Sequence, residues 1–463
     1  MPLRVLHTVH DYLPLHQAGS ELYVGALCAA LSAAGHHPAV FAAEFSPRDA
    51  HGSMRWRTHA GIPVIEVVNN WQGSTFASTF DADAIQAAFT HALDAVRPDV
   101  VHVHNLLNLS LSLPRLARAR GIAVVATLHD YTLACPSGGQ RVHKADAHVC
   151  WTIDPERCAR CFAETPFYRQ WQFGQVARHV PAGLAGRTAS ALARRIPWAT
   201  RAGKAALRAS PGPAVTAGDI VTRLDAAKRT FSEFQAAVAP SQSLADEYRR
   251  LGFPEDRLET SDYGFAPLEV QPRVPSPHGH LRIGFTGTLV WHKGVDLLID
   301  AARRLPADRI EVHIFGDETV FPDYTRDLRQ RADGLPVSFR GGYAHHDIPK
   351  VLSEIDVLVV PSRWLENSPL VIHEAFMTRV PVVAAAIGGM PDLLDHGRHG
   401  VLFEPDSEDA LAHALRTLLD NPARLAELAA QAPPVKTIDE DAAEWMTRYR
   451  AVVHEATGMV AVS

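Results

Sequence analysis

The pattern with the clearest chemical content is Glu366-Asn-Ser-Pro-Leu-Val-Ile-His-Glu374, two glutamates set seven residues apart. A carboxylate can accept hydrogen bonds from two vicinal hydroxyls, so such a pair fits a ribose on one side and a second sugar on the other. The apolar run DVLVVPS precedes it and reads as a strand. Ser368 suits an N-cap and Pro369 the first helical position, which predicts a helix starting there. The unpaired N–H groups and positive dipole end around Asn367, Ser368, Pro369 and Leu370 would then form a diphosphate site. Taken alone, the spacing fits two solvated glutamates on an ordinary helix equally well.

Three further segments accompany it. Phe285-Thr-Gly287-Thr288-Leu-Val-Trp-His-Lys293-Gly294 follows a strand and opens a helix; its glycine lets backbone approach a phosphate, and Lys293 supplies a cation. Ala385-Ala-Ile-Gly388-Gly389-Met-Pro-Asp is a further piece of the set, paired glycines after another strand. Near the N-terminus, Ala18-Gly19-Ser20-Glu21 occupies the first strand-to-helix turn and is expected to face the same cleft.

These loops need strands before them and helices after them. Strand-like runs at 3–7, 64–68, 100–104 and 123–127 alternate with helical patterns at 21–34, 82–96 and 109–120, which means parallel βαβ units. After the proline-rich 271–280, the alternation restarts with strands at 281–286, 311–315, 337–340, 357–361 and 381–385. Helices are expected there at 294–304, 347–354, 369–378 and 408–419. The chain therefore reads as α/β, two Rossmann-like doubly wound parallel-sheet domains facing a cleft. They span 1–270, with a Cys-containing helical insertion at about 135–235, and 281–430; a helical segment at 431–463 packs back across the cleft. At 463 residues, 47 % hydrophobic and 21 % charged, the composition is ordinary and globular. A net charge of −6 gives no reason to expect nucleic acid as a partner. Five cysteines are too few for a disulfide scaffold, and the start lacks a signal-peptide pattern, so a cytoplasmic protein is expected.

This ordered set of motifs resembles the family-4 glycosyltransferases, retaining enzymes of the GT-B fold, over nearly the whole chain. The resemblance implies that Glu374 holds the nucleotide ribose, Glu366 contacts the donor sugar and Lys293 binds the diphosphate. It also implies that His129, in Thr-Leu-His129-Asp130-Tyr, faces the transferred sugar, with Asp130 able to orient its ring. The family usually has an arginine where Thr288 stands, and Gly-Gly-x-Glu where this chain has Ala18-Gly19-Ser20-Glu21. The activity implied is transfer of a sugar from a nucleotide-diphosphate donor to a glycan or lipid-linked acceptor, in cell-surface polysaccharide or glycoconjugate synthesis. Lys293 and the helix amides would stabilise the leaving diphosphate in a front-face displacement without a catalytic metal or cofactor. The alternatives are another GT-B enzyme, such as a nucleotide-sugar epimerase or a phosphorylase, and a non-catalytic glycan-binding subunit.

Two features stand outside that set. Cys135, Cys150, Cys158 and Cys161, spaced C-x14-C-x7-C-x2-C, read as a structural zinc site, as four reduced thiols or as an iron–sulfur ligand set. Residues 165–218 carry eight Lys/Arg and no Asp or Glu, interleaved with Phe167, Trp171, Phe173 and Trp198. That composition fits peripheral contact with an anionic membrane, or a helical excursion packed on its own domain. His102 and His104 share one face of a strand and read as satisfied core histidines or a metal pair; His345 and His346 read as loop surface.

Overall fold

The computed structural model describes residues 1–179, 212–274, 276 and 279–460. In chain order the first part supplies β1 (Arg4–Val9), β2 (His37–Glu44), β3 (Met54–His59), β4 (Ile62–Val68), β5 (Val100–Val103), β6 (Ala123–Thr127), β7 (Val142–His143), β8 (His148–Val149), β9 (Ala236–Ala239) and β10 (Leu258–Thr260). Eight of these form one sheet in the order β10-β9-β6-β5-β1-β2-β4-β3, while β7 and β8 pair as a separate hairpin. The second part supplies β11 (Leu281–Thr286), β12 (Ile310–Phe315), β13 (Val337–Gly341), β14 (Val357–Val360), β15 (Val382–Ala385) and β16 (Val401–Phe403), ordered β13-β12-β11-β14-β15-β16. All of its pairings are parallel. Central strands such as β5, β6, β11 and β14 are buried along their length, as strands covered by helices on both faces must be.

The differences from the sequence reading have local causes. β3 reads MRWRTH, a largely exposed edge strand antiparallel to β4, and its charges hide it from a search for apolar runs. The hairpin β7–β8 has two residues per strand, too few to give a periodic signal. The helix expected over 109–120 is Leu113–Arg118, because Pro114 fits only its first turn. The described part of 271–280 is not a free linker. Val274 N–H donates to the Ser353 carbonyl at 3.0 Å, and Arg273 Nη2 donates to the Arg379 carbonyl at 3.1 Å.

The last helix, Ile438–Val460, returns to the first domain. Its Trp445 and Tyr449 are buried in a cluster with Val5, Tyr23, Leu27 and Val125, so the C-terminal segment closes one face of the first sheet. Tyr23 Oη donates to Asp441 Oδ2 at 2.7 Å, and Trp445 Nε1 donates to Tyr23 Oη at 3.0 Å.

Candidate active site

Each sheet reverses its strand order beside its first strand: β1 lies between β2 and β5, and β11 between β12 and β14. Ligands of doubly wound sheets bind outside the carboxyl ends of strands at such switch points. The loops after β11 and β14 carry Gly287, Thr288, Lys293 and Glu366, and those after β1 and β6 carry Gly19 and His129. All six line one cavity of about 330 Å³. Asn367, Ser368, Pro369 and Leu370 complete its wall. Glu374 does not line it, being buried one turn into the following helix.

That helix is Leu370–Met377, and it starts differently from expectation. Pro369, not Ser368, occupies the N-cap position, with φ −65° and ψ 116° and no side-chain cap. The Ser368 hydroxyl is drawn elsewhere: it donates to Asp262 Oδ1 at 2.7 Å and pairs with His373 Nε2 at 2.8 Å. With the hydroxyl held between Asp262 and His373, its oxygen makes no bond to the first-turn N–H groups. The first helical turn thus keeps backbone N–H groups without intrahelical partners, and Leu370 and Val371 border the cavity.

Lys293 ends the short turn Trp291–Lys293, and its Nζ lies 2.6 Å from Glu366 Oε1 and 5.2 Å from the centre of the Trp364 ring. Ser362 Oγ donates to the same carboxylate oxygen at 2.6 Å. Two residues expected to contact separate ligands are therefore each other's counter-ions. Gly294, at φ +73°, packs so closely that a Cβ would collide with the Pro361 carbonyl. The paired glycines Gly388 and Gly389 pack against the Glu366 loop. Gly389 N–H donates to the Glu366 carbonyl at 2.7 Å, and a Cβ there would sit on the Asn367 carbonyl, so this pair buttresses the Glu366–Asn367 backbone.

Opposite stands His129. Its ring is held not by Asp130 but by His104 Nδ1, 3.0 Å from His129 Nε2, and by Tyr263 Oη, 2.9 Å from Nδ1. His104 Nε2 in turn lies 3.0 Å from His7 Nδ1, giving a chain His7–His104–His129–Tyr263. Asp130 instead accepts from Thr132 N–H at 2.7 Å and from Asn105 Nδ2 at 3.1 Å. Burial holds His129 and His7 down at about 3, and His104 and His102 well below the usual imidazole range, so the chain is neutral at pH 7. Asn367 Nδ2 donates to the His129 carbonyl, joining the domains across the cavity.

His7, His102 and His104 each offer a nitrogen, and these lie within 4.8 Å of one another. Most are engaged already. His102 pairs with Tyr449 Oη at 2.7 Å and Thr127 Oγ1 at 2.8 Å, which leaves His7 Nε2 as the nitrogen of this trio without a hydrogen bond.

Burial raises the Glu374 carboxyl to about 7. Ser20, from the Ala18–Glu21 turn expected to face the cleft, borders the cavity with Gly19; Tyr263, Ser362 and Trp364 also border it and were not singled out from sequence. Ser362 and Trp364 were findable, since they stand between a strand end and Glu366; Tyr263 carries no local signal. The four clustered cysteines line a separate small cavity. Most of 165–218, including Arg187, Arg194, Arg195, Arg201 and Trp198, lies outside the described residues. Of its described aromatics, Trp171 is buried and donates to the Gly73 carbonyl at 2.9 Å, Phe167 stacks on Trp71 and Phe173 meets Phe45. These three anchor the segment to its own domain rather than presenting themselves to a membrane. Among the described residues no helix is long and apolar enough to cross one.

Two doubly wound domains facing one another across such a cavity define the GT-B fold. The whole chain superposes on sucrose-phosphate synthase from Thermosynechococcus elongatus with a TM-score of 0.62 at 16 % identity, covering 99 % of this chain and 98 % of that one. Residues 18–171 match the glycosyl transferase 4-like domain and residues 280–421 the domain of glycosyl transferases group 1. The chain belongs to the glycosyltransferases built from these two domains. Among curated relatives, it is 32 % identical over 202 residues to alpha-D-kanosaminyltransferase of Streptomyces kanamyceticus, covering 42 % of this chain and 52 % of that protein. It is 31 % identical over 234 residues to D-inositol 3-phosphate glycosyltransferase of Stackebrandtia nassauensis, covering 46 % and 52 %. The chain thus spans about half the length of these two relatives.

Proposed function

We propose that this chain is a retaining glycosyltransferase that moves a sugar from a nucleoside-diphosphate donor to a glycan or lipid-linked acceptor in cell-surface polysaccharide or glycoconjugate synthesis, on the cytoplasmic side. The observation that carries the reading is the Lys293–Glu366 pair beside the open amides of Leu370 and Val371, with the neutral His129 across a cavity of about 330 Å³. Lys293 and the amides take the diphosphate and stabilise the charge that grows on it as the glycosidic bond breaks. Displaced from Lys293, Glu366 turns to the hydroxyls of the donor sugar, with His129, its ring fixed by His104 and Tyr263, lining the opposite wall. Glu374 accepts from the ribose.

Thermal unfolding in the presence of UDP, GDP, ADP and their sugars tests this, because a ligand that binds the folded chain raises its midpoint. The expected result is stabilisation by one nucleotide class, and release of that nucleotide from its sugar when an acceptor is supplied. Isomerisation of the nucleotide sugar without an acceptor would favour an epimerase instead, and no stabilisation by any nucleotide would overturn the reading.

A further inference from the structure

The segment 130–164 follows His129 directly; Tyr131, Leu133 and Phe162 anchor its ends in the core, and Arg223 binds the Thr132 and Leu133 carbonyls, while the hairpin between them is short. Its hairpin β7–β8 has two residues per strand, well below what stands alone in water. Four cysteines from three different local structures nevertheless converge there. Cys135 closes the turn after the cavity loop, its N–H donating to the Tyr131 carbonyl at 2.7 Å. Cys150 leaves the open end of the hairpin, its N–H donating to the Arg141 carbonyl at 2.8 Å. Cys158 and Cys161 lie on the helix Pro155–Ala163 at a spacing of three, hence on one face. All four line a single cavity of about 20 Å³, room for one small sphere.

We propose that Cys135, Cys150, Cys158 and Cys161 bind a structural zinc ion as a tetrathiolate, fixing the loop that begins at His129. A second, independent observation favours a bound anionic centre. Arg141 is 2 % exposed and lines this cavity; one arm reaches Glu247, while its buried Nη2 has no hydrogen-bond partner. Four thiolates around Zn²⁺ carry a net charge of about −2, and an orphaned guanidinium N–H beside them is the donor such sulfurs take in their outer sphere. Arg157 lines the cavity too, while Lys144 and the buried Arg223 lie close enough to interact with the cysteines. Among the described residues no three of these sulfurs lie within 4.8 Å of one another, unlike the histidine nitrogens. Coordination therefore requires rotation about the Cα–Cβ bonds, each thiol releasing its proton to solvent as its metal–sulfur bond forms.

The centre has a structural consequence at the cleft. Lys144, in the turn of the hairpin, sits 5.6 Å from the centre of the Phe321 ring of the second domain. A metal holding the hairpin therefore fixes one contact between the domains as well as the root of the His129 loop. The inference does not depend on the transferase reading, because its readouts are metal content and spectrum.

The test uses the full chain, purified under reducing conditions without chelator. Elemental analysis is expected to find about one zinc per chain. Protein grown with cobalt in place of zinc is expected to show the thiolate-to-cobalt charge-transfer and visible bands of a tetrahedral sulfur site. Cys158→Ser/Cys161→Ser is expected to lose the metal to background; the cobalt spectrum of the unaltered chain stands as evidence even where that variant fails to fold. Zinc retained by the double variant would overturn the proposal, as would a cobalt spectrum without thiolate character. So would iron with labile sulfide, a mass lowered by disulfide formation, or unaltered protein without metal.

Discussion

On the first domain's side of the cavity the polar groups are neutral: His129 is the exposed end of a buried chain through His104 to His7, with Tyr263 as its other partner. On the second domain's side stands an ion pair, Lys293 against Glu366 at 2.6 Å, with Glu374 buried one turn into the helix. Burial without a counter-ion pushes the imidazoles and the Glu374 carboxyl toward their neutral forms, whereas Lys293 and Glu366 each face a partner of opposite sign. The cavity's ion pair thus lies on one domain, and the other contributes a hydrogen-bonded chain of neutral rings; under the proposed function the charge that meets a diphosphate comes from one side only. Binding and turnover should therefore separate according to which side is altered.

The largest effect is expected for Lys293→Ala. It removes the cation and leaves Glu366 facing the leaving diphosphate, so kcat should fall about 10²–10³-fold. Steady-state kinetics with normal turnover would break the comparison outright. Next is Glu374→Gln, which should weaken nucleotide binding about tenfold or more, as one charge-assisted hydrogen bond implies. Because burial raises the Glu374 carboxyl from 4.5 to about 7, this group favours the fold fully below pH 4.5 and loses that contribution as pH rises through 7. Inside that window stability should drop by about 1.4 kcal/mol per pH unit, and the dependence should vanish in the glutamine variant. Chemical denaturation at several pH values checks it, and calorimetry over the same range should show nucleotide affinity rising with pH in the unaltered chain more than in the variant.

A smaller effect is expected on the neutral side. His129→Ala should lower kcat by about three- to tenfold, the worth of one uncharged hydrogen bond, with nucleotide Kd unchanged. A large loss of nucleotide affinity there would blur the division between domains. The smallest is Asn367→Ala, which deletes the bond to the His129 carbonyl. A change of about threefold in KM is expected, with the donor-free chain hardly altered in Tm.

How much of this was legible in the sequence depends on distance along the chain. Glu366, Asn367, Ser368 and Pro369, or Gly287 through Lys293, announce themselves because strand, loop and helix start are contiguous, and the strand pattern says which end faces the cleft. The Lys293–Glu366 pair was not legible, since the partners are 73 residues apart and only the adjacency of β11 and β14 brings them together. The histidine chain draws on β1, β5 and the loop after β6, with Tyr263 from beyond β10, so no local pattern could reveal it. Ser368 shows the opposite failure. Its type and position matched a cap, yet the helix starts one residue later than that and the hydroxyl bonds Asp262, 106 residues away.

The route of the chain between its domains has a mechanical consequence. It crosses outward near Phe265 and returns near Lys436, and the two crossings are bonded to each other. Phe265 N–H donates to the Lys436 carbonyl at 2.9 Å and Ile438 N–H to the Phe265 carbonyl at 2.9 Å, a parallel bridge. Two bodies joined at adjoining points keep one easy rotation, about the line through those points, while sliding and twisting tear the bridge. At the mouth, single bonds such as Asn367 to His129 and Ser243 N–H to Asp392, at 2.8 Å, are what such a rotation must break. Each costs about 0.5–1.5 kcal/mol, which thermal energy and an arriving ligand readily meet. The two domains are thus joined like the halves of a jaw, with one firm bridge for an axis and single hydrogen bonds for a latch at the mouth.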